Sequence, residues 1–421
     1  IRTNPKIKKG LQLTYGHVFL DEFQDTTSLQ YKLVKQCFLN SSSIMTAVGD
    51  NKQRIMLWAG ALKTVFEDFQ KDFNASSQRL IMNHRSAPRL IELQKMMYLS
   101  LNESDSKVIF SNKWNPEDGA ISLVIAENEM KEAQKVAADI FQKISMGISP
   151  NELCILCKQL PQKYTSQIIL ELEKYQIRAR IENDYQDLIK EPIIEMLMAL
   201  LRLSVDRKRP QDWEFILTIS GELWGMGSSQ EVDSYYKMQD KIIEEINSLN
   251  ILIKNVSSKK EFHELLQHAI RFWGLCHLKA MIPKYNQGTY LTELLSKFQS
   301  FMWDELENVQ FNWLLALENF EGLNSVPIMT IHKSKGLEYQ AVYFVGLEDS
   351  AFWNFKKQPE EDRCAFFVAL SRAKLEIMFT FCNCRSTVKY PKQFHKDINE
   401  FFELLKTPGI AKLINLTSSE S

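Results

Sequence analysis

The chain has 421 residues, 51 of them basic and 52 acidic, and a 45% hydrophobic fraction, so it can bury the cores of two or three domains. A net charge of −1 excludes a bulk polycation and leaves any nucleic-acid surface to be local. Seven scattered cysteines, no charged-then-apolar leader and no apolar run of membrane-spanning length argue against a secreted disulfide framework or a membrane helix, and lead us to expect a reducing cytoplasm.

Residues 11–20 read as a strand whose last residues, His17-Val18-Phe19-Leu20, break into Asp21-Glu22-Phe23-Gln24-Asp25. A helix with apolar spacing from Leu29 to Phe38 and a second apolar strand, Ile44–Val48, follow, and the polar turn Gly49-Asp50-Asn51-Lys52-Gln53 closes the block. Arg79–Asn83 leads into a helix from Pro88 to about Leu99, and residues 100–120 read as a polar loop. Ile121–Ala126, Glu129–Ser145 and Glu152–Lys158 continue the alternation as strand, helix and strand. From Ile193 to about Phe320 the spacing is helical throughout. Strands then return at Pro327–Ile331, Ala341–Gly346 and Glu376–Phe381, with a helix from Glu360 to Lys374; after Lys374 about one strand and one helix are expected. The fold class is α/β with parallel sheets and an inserted all-helical subdomain. The expected division is 1–73, then 74–191 with 325–421, interrupted by 192–324.

Several blocks carry chemistry. In open parallel sheets ligands sit beyond the carboxyl ends of strands, where Asp21 and Glu22 fall; two carboxylates there suit a nucleotide-bound magnesium and the orientation of an attacking water. Solvated turn acids are an equal alternative for that pair alone. Gln53 puts an amide on a turn where it can sense a terminal phosphate, and Trp58 is either a core indole or a platform for an unpaired base. Arg85 and Arg372 each offer a guanidinium for charge on a transferring phosphoryl group, or else a surface salt bridge. Thr330-Ile331-His332-Lys333-Ser334-Lys335-Gly336-Leu337-Glu338 is a phosphate-tracking loop or a solvated charged one. Cys154 and Cys157 have zinc-like spacing, but residues three apart on a strand point to opposite faces. Asp206-Arg207-Lys208-Arg209-Pro210 reads as a solvated basic turn.

In this order, the blocks around Asp21, Gln53, Arg85, His332 and Arg372 resemble motifs II to VI of the superfamily 1 helicases of the UvrD, Rep and PcrA type. The resemblance implies RecA-like parallel sheets of the P-loop NTPase helicase core and an ATP-dependent DNA helicase moving 3′ to 5′ on single-stranded DNA. It further implies ATP and Mg2+ as cofactors, with Asp21 as magnesium acid and Glu22 as catalytic acid. Gln53 becomes the γ-phosphate sensor, and Arg85 and Arg372 the arginine fingers. His84 would replace an adenine-stacking aromatic and Glu338 would contact ribose, with Gly336 in the same loop. Trp58, Met56, Thr330 and His332 fall at positions that touch or sense DNA. Expected partners are single-stranded DNA or a duplex with a 3′ overhang, and a nuclease or a repair or defence protein.

The chain also departs from the family pattern. Met56 stands where a tyrosine is usual, Ala59 where an arginine is usual, Asn51-Lys52 where an acidic pair is usual, and His84 where a tyrosine is usual. Nowhere does the sequence contain Gly-x-x-x-x-Gly-Lys-[Ser/Thr], the loop that cradles phosphates, and it opens on Ile1. The expectation is therefore a motor portion of a longer protein, inactive alone. A helicase-derived module that binds DNA or a partner without hydrolysis is the competing reading.

Overall fold

A computed structural model describes residues 4–101, 108–225 and 232–417. Contacts divide the chain into two compact units, Ile1–Ala179 with Val326–Ser421, and Arg180–Ser325.

The first unit starts with α1 (Pro5–Thr14), where the Asn4 side chain caps the Lys6 amide at 3.1 Å and Pro5 occupies the first turn. This corrects the expectation of a strand over 11–20: the alternation Leu11-Gln12-Leu13 looks strand-like, but the Asn-Pro start signal prevails and only β1 (His17–Leu20) is extended. A capping box at Thr27 begins α2 (Ser28–Phe38), which leads to β2 (Ile44–Ala47). β1 and β2 are parallel, with His17 opposite Ile44 and Leu20 opposite Ala47, so the acids after β1 and the polar turn after β2 emerge side by side. Beneath them Phe23, Tyr31, Val65 and Phe69 form a small core with α3 (Val65–Phe73).

β3 (Met82–Asn83) and β4 (Ile109–Phe110) pair as a short parallel ladder on either side of α4 (Pro88–Met96); β4 lies inside what reads in sequence as loop. Then come β5 (Ala120–Asn128), α5 (Glu129–Ser145), β6 (Leu153–Cys157) and α6 (Pro161–Lys174), and the chain leaves the unit along β7 (Ala179–Ile181).

The second unit is helical: α7 (Asn183–Ile189), α8 (Pro192–Val205), α9 (Pro210–Leu223), α10 (Val232–Asn255), α11 (Lys259–Trp273), α12 (Leu275–Met281), α13 (Tyr290–Asn308) and α14 (Trp313–Glu321). α8 is apolar nearly all round, as a helix at the centre of a bundle must be. Phe262, Trp273, Phe298 and Phe320 are fully buried in the same core.

Back in the first unit, β8 (Val326–Thr330), β9 (Tyr339–Val345), α15 (Pro359–Ser371), β10 (Ala373–Cys384), α16 (Asn399–Lys406) and β11 (Lys412–Leu416) complete a parallel sheet of order β11-β5-β10-β9-β6-β8. β11 was not expected from the sequence. Its Lys-Leu-Ile-Asn-Leu run is short, and its pairing with β5 supplies what local pattern does not. The architecture is the mixed α/β one expected, built on a large parallel sheet.

Candidate functional site

The acids after β1 are held by a tight local network. Glu22 sits in the left-handed region at φ 49°, and its amide donates a 2.8 Å bond to Asp21 Oδ1. Gln24, almost fully buried, donates to Glu22 Oε2 at 2.6 Å and accepts the Asp50 amide at 3.0 Å, so one side chain joins the acidic turn to the turn after β2. This close approach is why residue 49 is glycine: a Cβ there would fall 2.2 Å from Gln24 Oε1 and 3.0 Å from the Phe23 amide. Gln53 donates to Asp50 Oδ2 at 3.1 Å, leaving its carbonyl oxygen free to face α15.

That oxygen accepts a 2.6 Å bond from Arg372 Nη2. Arg372 follows α15 and also donates to Ser371 Oγ at 2.8 Å and to the carbonyls of Val368 and Leu337. Burial, reinforced by the charge of Arg85, pushes its basicity down to about 10, so it remains a cation at neutral pH. Arg85 reaches the same place from another element. Asn83 Oδ1 accepts the amides of Arg85 and Ser86, and Ser86 and Ala87 bond the backbone of Ala373 and Lys374, which fixes this loop against β10. Arg85 then bonds Glu338 at 2.7 Å and the Ser371 carbonyl at 3.1 Å. Lys374 is 2.8 Å from the other Glu338 oxygen, and these two cations hold the Glu338 carboxyl below its usual range, Lys374 foremost.

The loop from Ile331 to Glu338 supplies a residue that the sequence reading did not single out. Lys335 lies 2.9 Å from Glu22 Oε2 and also bonds Asp25, whose other oxygen is buried without a partner. Burial opposes ionisation of Glu22, yet the bonds from Lys335 and Gln24 prevail and its carboxyl is held low, hence charged. His332, in the same loop, is 3.2 Å from the Ile55 carbonyl and meets Trp58 edge-on with ring centroids 6.5 Å apart. Its burial, together with Lys158, keeps it neutral to lower pH than usual. Lys335 was missed because Lys333 and Lys335 look alike in sequence; the short turn at His332–Ser334 decides which one meets the acids.

Asp21, Glu22, Gln53, His84, Arg85 and Glu338 thus line one cleft of about 850 Å3, together with Lys52, Lys113 and Lys374. This is within the size range of small-molecule sites, and it sets four carboxylates, Asp21, Glu22, Asp50 and Glu338, against several cations. Trp58 is 67% exposed and meets His332; Met56 is half-buried two residues before it, and Thr330 ends β8 two residues before His332. Gly336 is exposed at φ 79°. Cys154 and Cys157 are buried in β6, and burial pushes the Cys157 thiol up to about 12, too high for a thiolate ligand at neutral pH. Among the described residues no group of three or more His, Cys, Asp or Glu is arranged to hold a metal. A nucleotide-borne magnesium needs only one or two carboxylates besides phosphate oxygens, which Asp21 and Glu22 can supply.

The chain is similar to known proteins over most of its length. Residues 1–74 match the UvrD/REP helicase N-terminal domain, and residues 78–310 and 289–384 match the UvrD-like helicase C-terminal domain. The chain is 26% identical over 96% of its length to the ATP-dependent DNA helicase Rep of Buchnera aphidicola subsp. Schizaphis graminum, covering 67% of that protein. It is 24% identical over 91% of its length to the ATP-dependent DNA helicase PcrA of Bacillus subtilis, and 27% over 90% to DNA helicase II of Haemophilus influenzae, covering 57% of each. No helix among the described residues is long and apolar enough to cross a membrane.

Proposed function

The chain belongs to the UvrD-like helicase family, and on that premise we propose that it is the motor portion of an ATP-dependent DNA helicase. The motor moves 3′ to 5′ on single-stranded DNA and hydrolyses ATP in the cleft lined by Asp21, Glu22, Gln53 and Arg85. The observation that carries this reading is the convergence of Glu22, Gln53 and Arg85 on one cleft from three separate stretches of sequence, with buried Arg372 bonded to Gln53 behind the cleft wall. A binding module has no need of a charged carboxylate opposite two guanidiniums.

Asp21 and Glu22 fit a magnesium ion, which when bound neutralises phosphate charge. Glu22 is ionised and held by Gln24, so it can orient an attacking water and accept its proton. Arg85 lines the cleft and Arg372 lies behind Gln53, which links it to the turn after β2; both are placed to offset charge on the transferring group. Lys335 competes for Glu22 from a loop whose other end carries His332 beside Trp58. Single-stranded DNA stacked on Trp58 would press on that loop, shift Lys335 and release Glu22, which gives DNA-stimulated hydrolysis a physical route.

Residues 1–421 contain no glycine-lysine phosphate loop, so alone they bind ATP weakly and do not turn it over. The chain spans 57–67% of the length of the relatives above. The test joins residues 1–421 to a segment that carries such a loop. ATPase should appear on single-stranded DNA and fall by a factor of about 10² or more in Glu22→Gln while nucleotide binding persists. Turnover above about a tenth of the unmutated rate would overturn the assignment of Glu22.

A further inference from the structure

Within the second unit, α8, α9 and α10 enclose a cavity of about 380 Å3 whose lining contains no carboxylate among the described residues. Its floor is apolar: Leu203 and Ile246 are buried, Trp213 is half-buried, and Ile243 is 42% exposed at the mouth. Its rim is the turn between α8 and α9, with Arg207, Lys208 and Arg209 in succession.

The rim cations are poorly neutralised. Arg207 is exposed and bonds the neutral amide of Asn247, and Lys208 is exposed. Arg209 Nε is buried without a hydrogen-bond acceptor, the Asp206 carboxylate standing 3.5 Å away. Asp212 is 4.0 Å from Arg209 but is already gripped by both sides of the Arg202 guanidinium, at 2.9 and 2.5 Å. Glu321, which also attracts Arg209, is itself bonded to Arg202, so Asp206 is the nearest carboxylate that Arg202 does not engage, and it also caps the Lys208 amide.

We propose that this cavity docks an acidic peptide segment bearing one aromatic side chain, with the ring seated on Trp213, Ile243 and Ile246 and flanking carboxylates on Arg207, Lys208 and Arg209. An apolar cavity of roughly 150 Å3 suffices for one benzene ring, so the volume accommodates a Phe or Trp anchor and part of its backbone. A nucleic-acid strand would ask for a track of cations matched to its repeating phosphates and for flat rings to stack on. Here the cations occupy one turn and the floor is mostly aliphatic. A desolvated aromatic anchor within a charged rim is the usual form of a peptide hot spot. The inference goes beyond the ATP-dependent activity and does not depend on it.

The test titrates the whole chain into a fluorescein-labelled peptide, Gly-Asp-Glu-Phe-Asp-Asp, followed by anisotropy. Saturable binding should weaken at least roughly tenfold when the peptide Phe becomes Ser, and likewise in the double variant Arg207→Glu with Lys208→Glu. Ile243→Asp, at an exposed position, should block the mouth without disturbing the core, and unchanged circular dichroism would verify that. Binding indifferent to loss of the Phe would mean charge attraction alone and overturn the proposal. So would absence of binding, or an oligodeoxythymidylate that binds in place of the peptide and is weakened by the same substitutions.

Discussion

Replacing Arg372 by Met separates a catalytic from a structural role, because the fold buries this guanidinium at a cost. Arg372 is 2% exposed, and burial lowers its basicity from 12.5 to about 10. A base whose folded value lies below its unfolded one is disfavoured in the folded state at every pH under the lower value. At ~1.4 kcal/mol per tenfold change this amounts to about 3 kcal/mol against folding. The charge-assisted bond to Gln53 at 2.6 Å, with weaker ones to Val368 and Leu337 at 3.2 and 3.3 Å, contributes about 1.5–3 kcal/mol in the other direction. The two nearly cancel, and Met fills most of the vacated volume. Urea unfolding of residues 1–421 should therefore change by no more than about 1 kcal/mol. ATPase of the protein supplied with a phosphate loop should fall by a factor of about 10³ or more, since an arginine finger is worth that much. Loss of more than about 3 kcal/mol of stability would show that Arg372 is a strut. Turnover within about tenfold of the unmutated rate would show that it does not meet developing charge.

Lys335→Ala should raise DNA-independent ATPase several-fold and reduce the stimulation by DNA, because Glu22 loses the cation that occupies it at 2.9 Å; an unchanged basal rate would refute the route through this loop. Trp58→Ala should weaken single-stranded DNA binding by about 1–3 kcal/mol in an anisotropy titration, whereas Met56→Tyr should leave it unchanged or tighter; a clear loss in the latter would place Met56 outside the DNA path. Stability should also depend on pH through Glu348, which shares Arg385 with Glu132 in a cluster where each side chain is at most 1% exposed. Burial raises the Glu348 carboxyl from 4.5 to about 7, so its favourable contribution is full below about 4.5 and lost as pH rises through 7. Glu348→Gln should flatten the pH dependence of stability in urea unfolding between pH 4.5 and 7 by about 3 kcal/mol, and a slope equal to that of the unmutated chain would show the shift lies elsewhere.

Local pattern carries much of this molecule. The helix over Glu129–Ser145 is legible to the residue because Asn128 caps it and its apolar face repeats at helical spacing. β6, β8 and β9 are legible because strands buried on both faces have continuous apolar runs. The acids at Asp21 and Glu22 and the arginines at Arg85 and Arg372 stand out as polar groups at the ends of such elements. Where local signals conflict, pattern misleads: Leu11 and Leu13 alternate like a strand, yet Asn4 and Pro5 start a helix.

Sequence alone determined the α/β alternation outside α1, β4 and β11, the helical character of the insert and the chemical types brought to the cleft, since all of these follow from periodicity and from residues within a few positions of one another. Tertiary structure alone decided the pairings. Only the fold puts Lys335 rather than Lys333 on Glu22, 313 residues away in number, seats Arg385 between Glu132 and Glu348, and recruits Lys412–Leu416 as a strand beside β5. Each of these is settled by a partner distant along the chain. The energy of a buried ion pair or of a sheet edge belongs to the pair and cannot be read from either member.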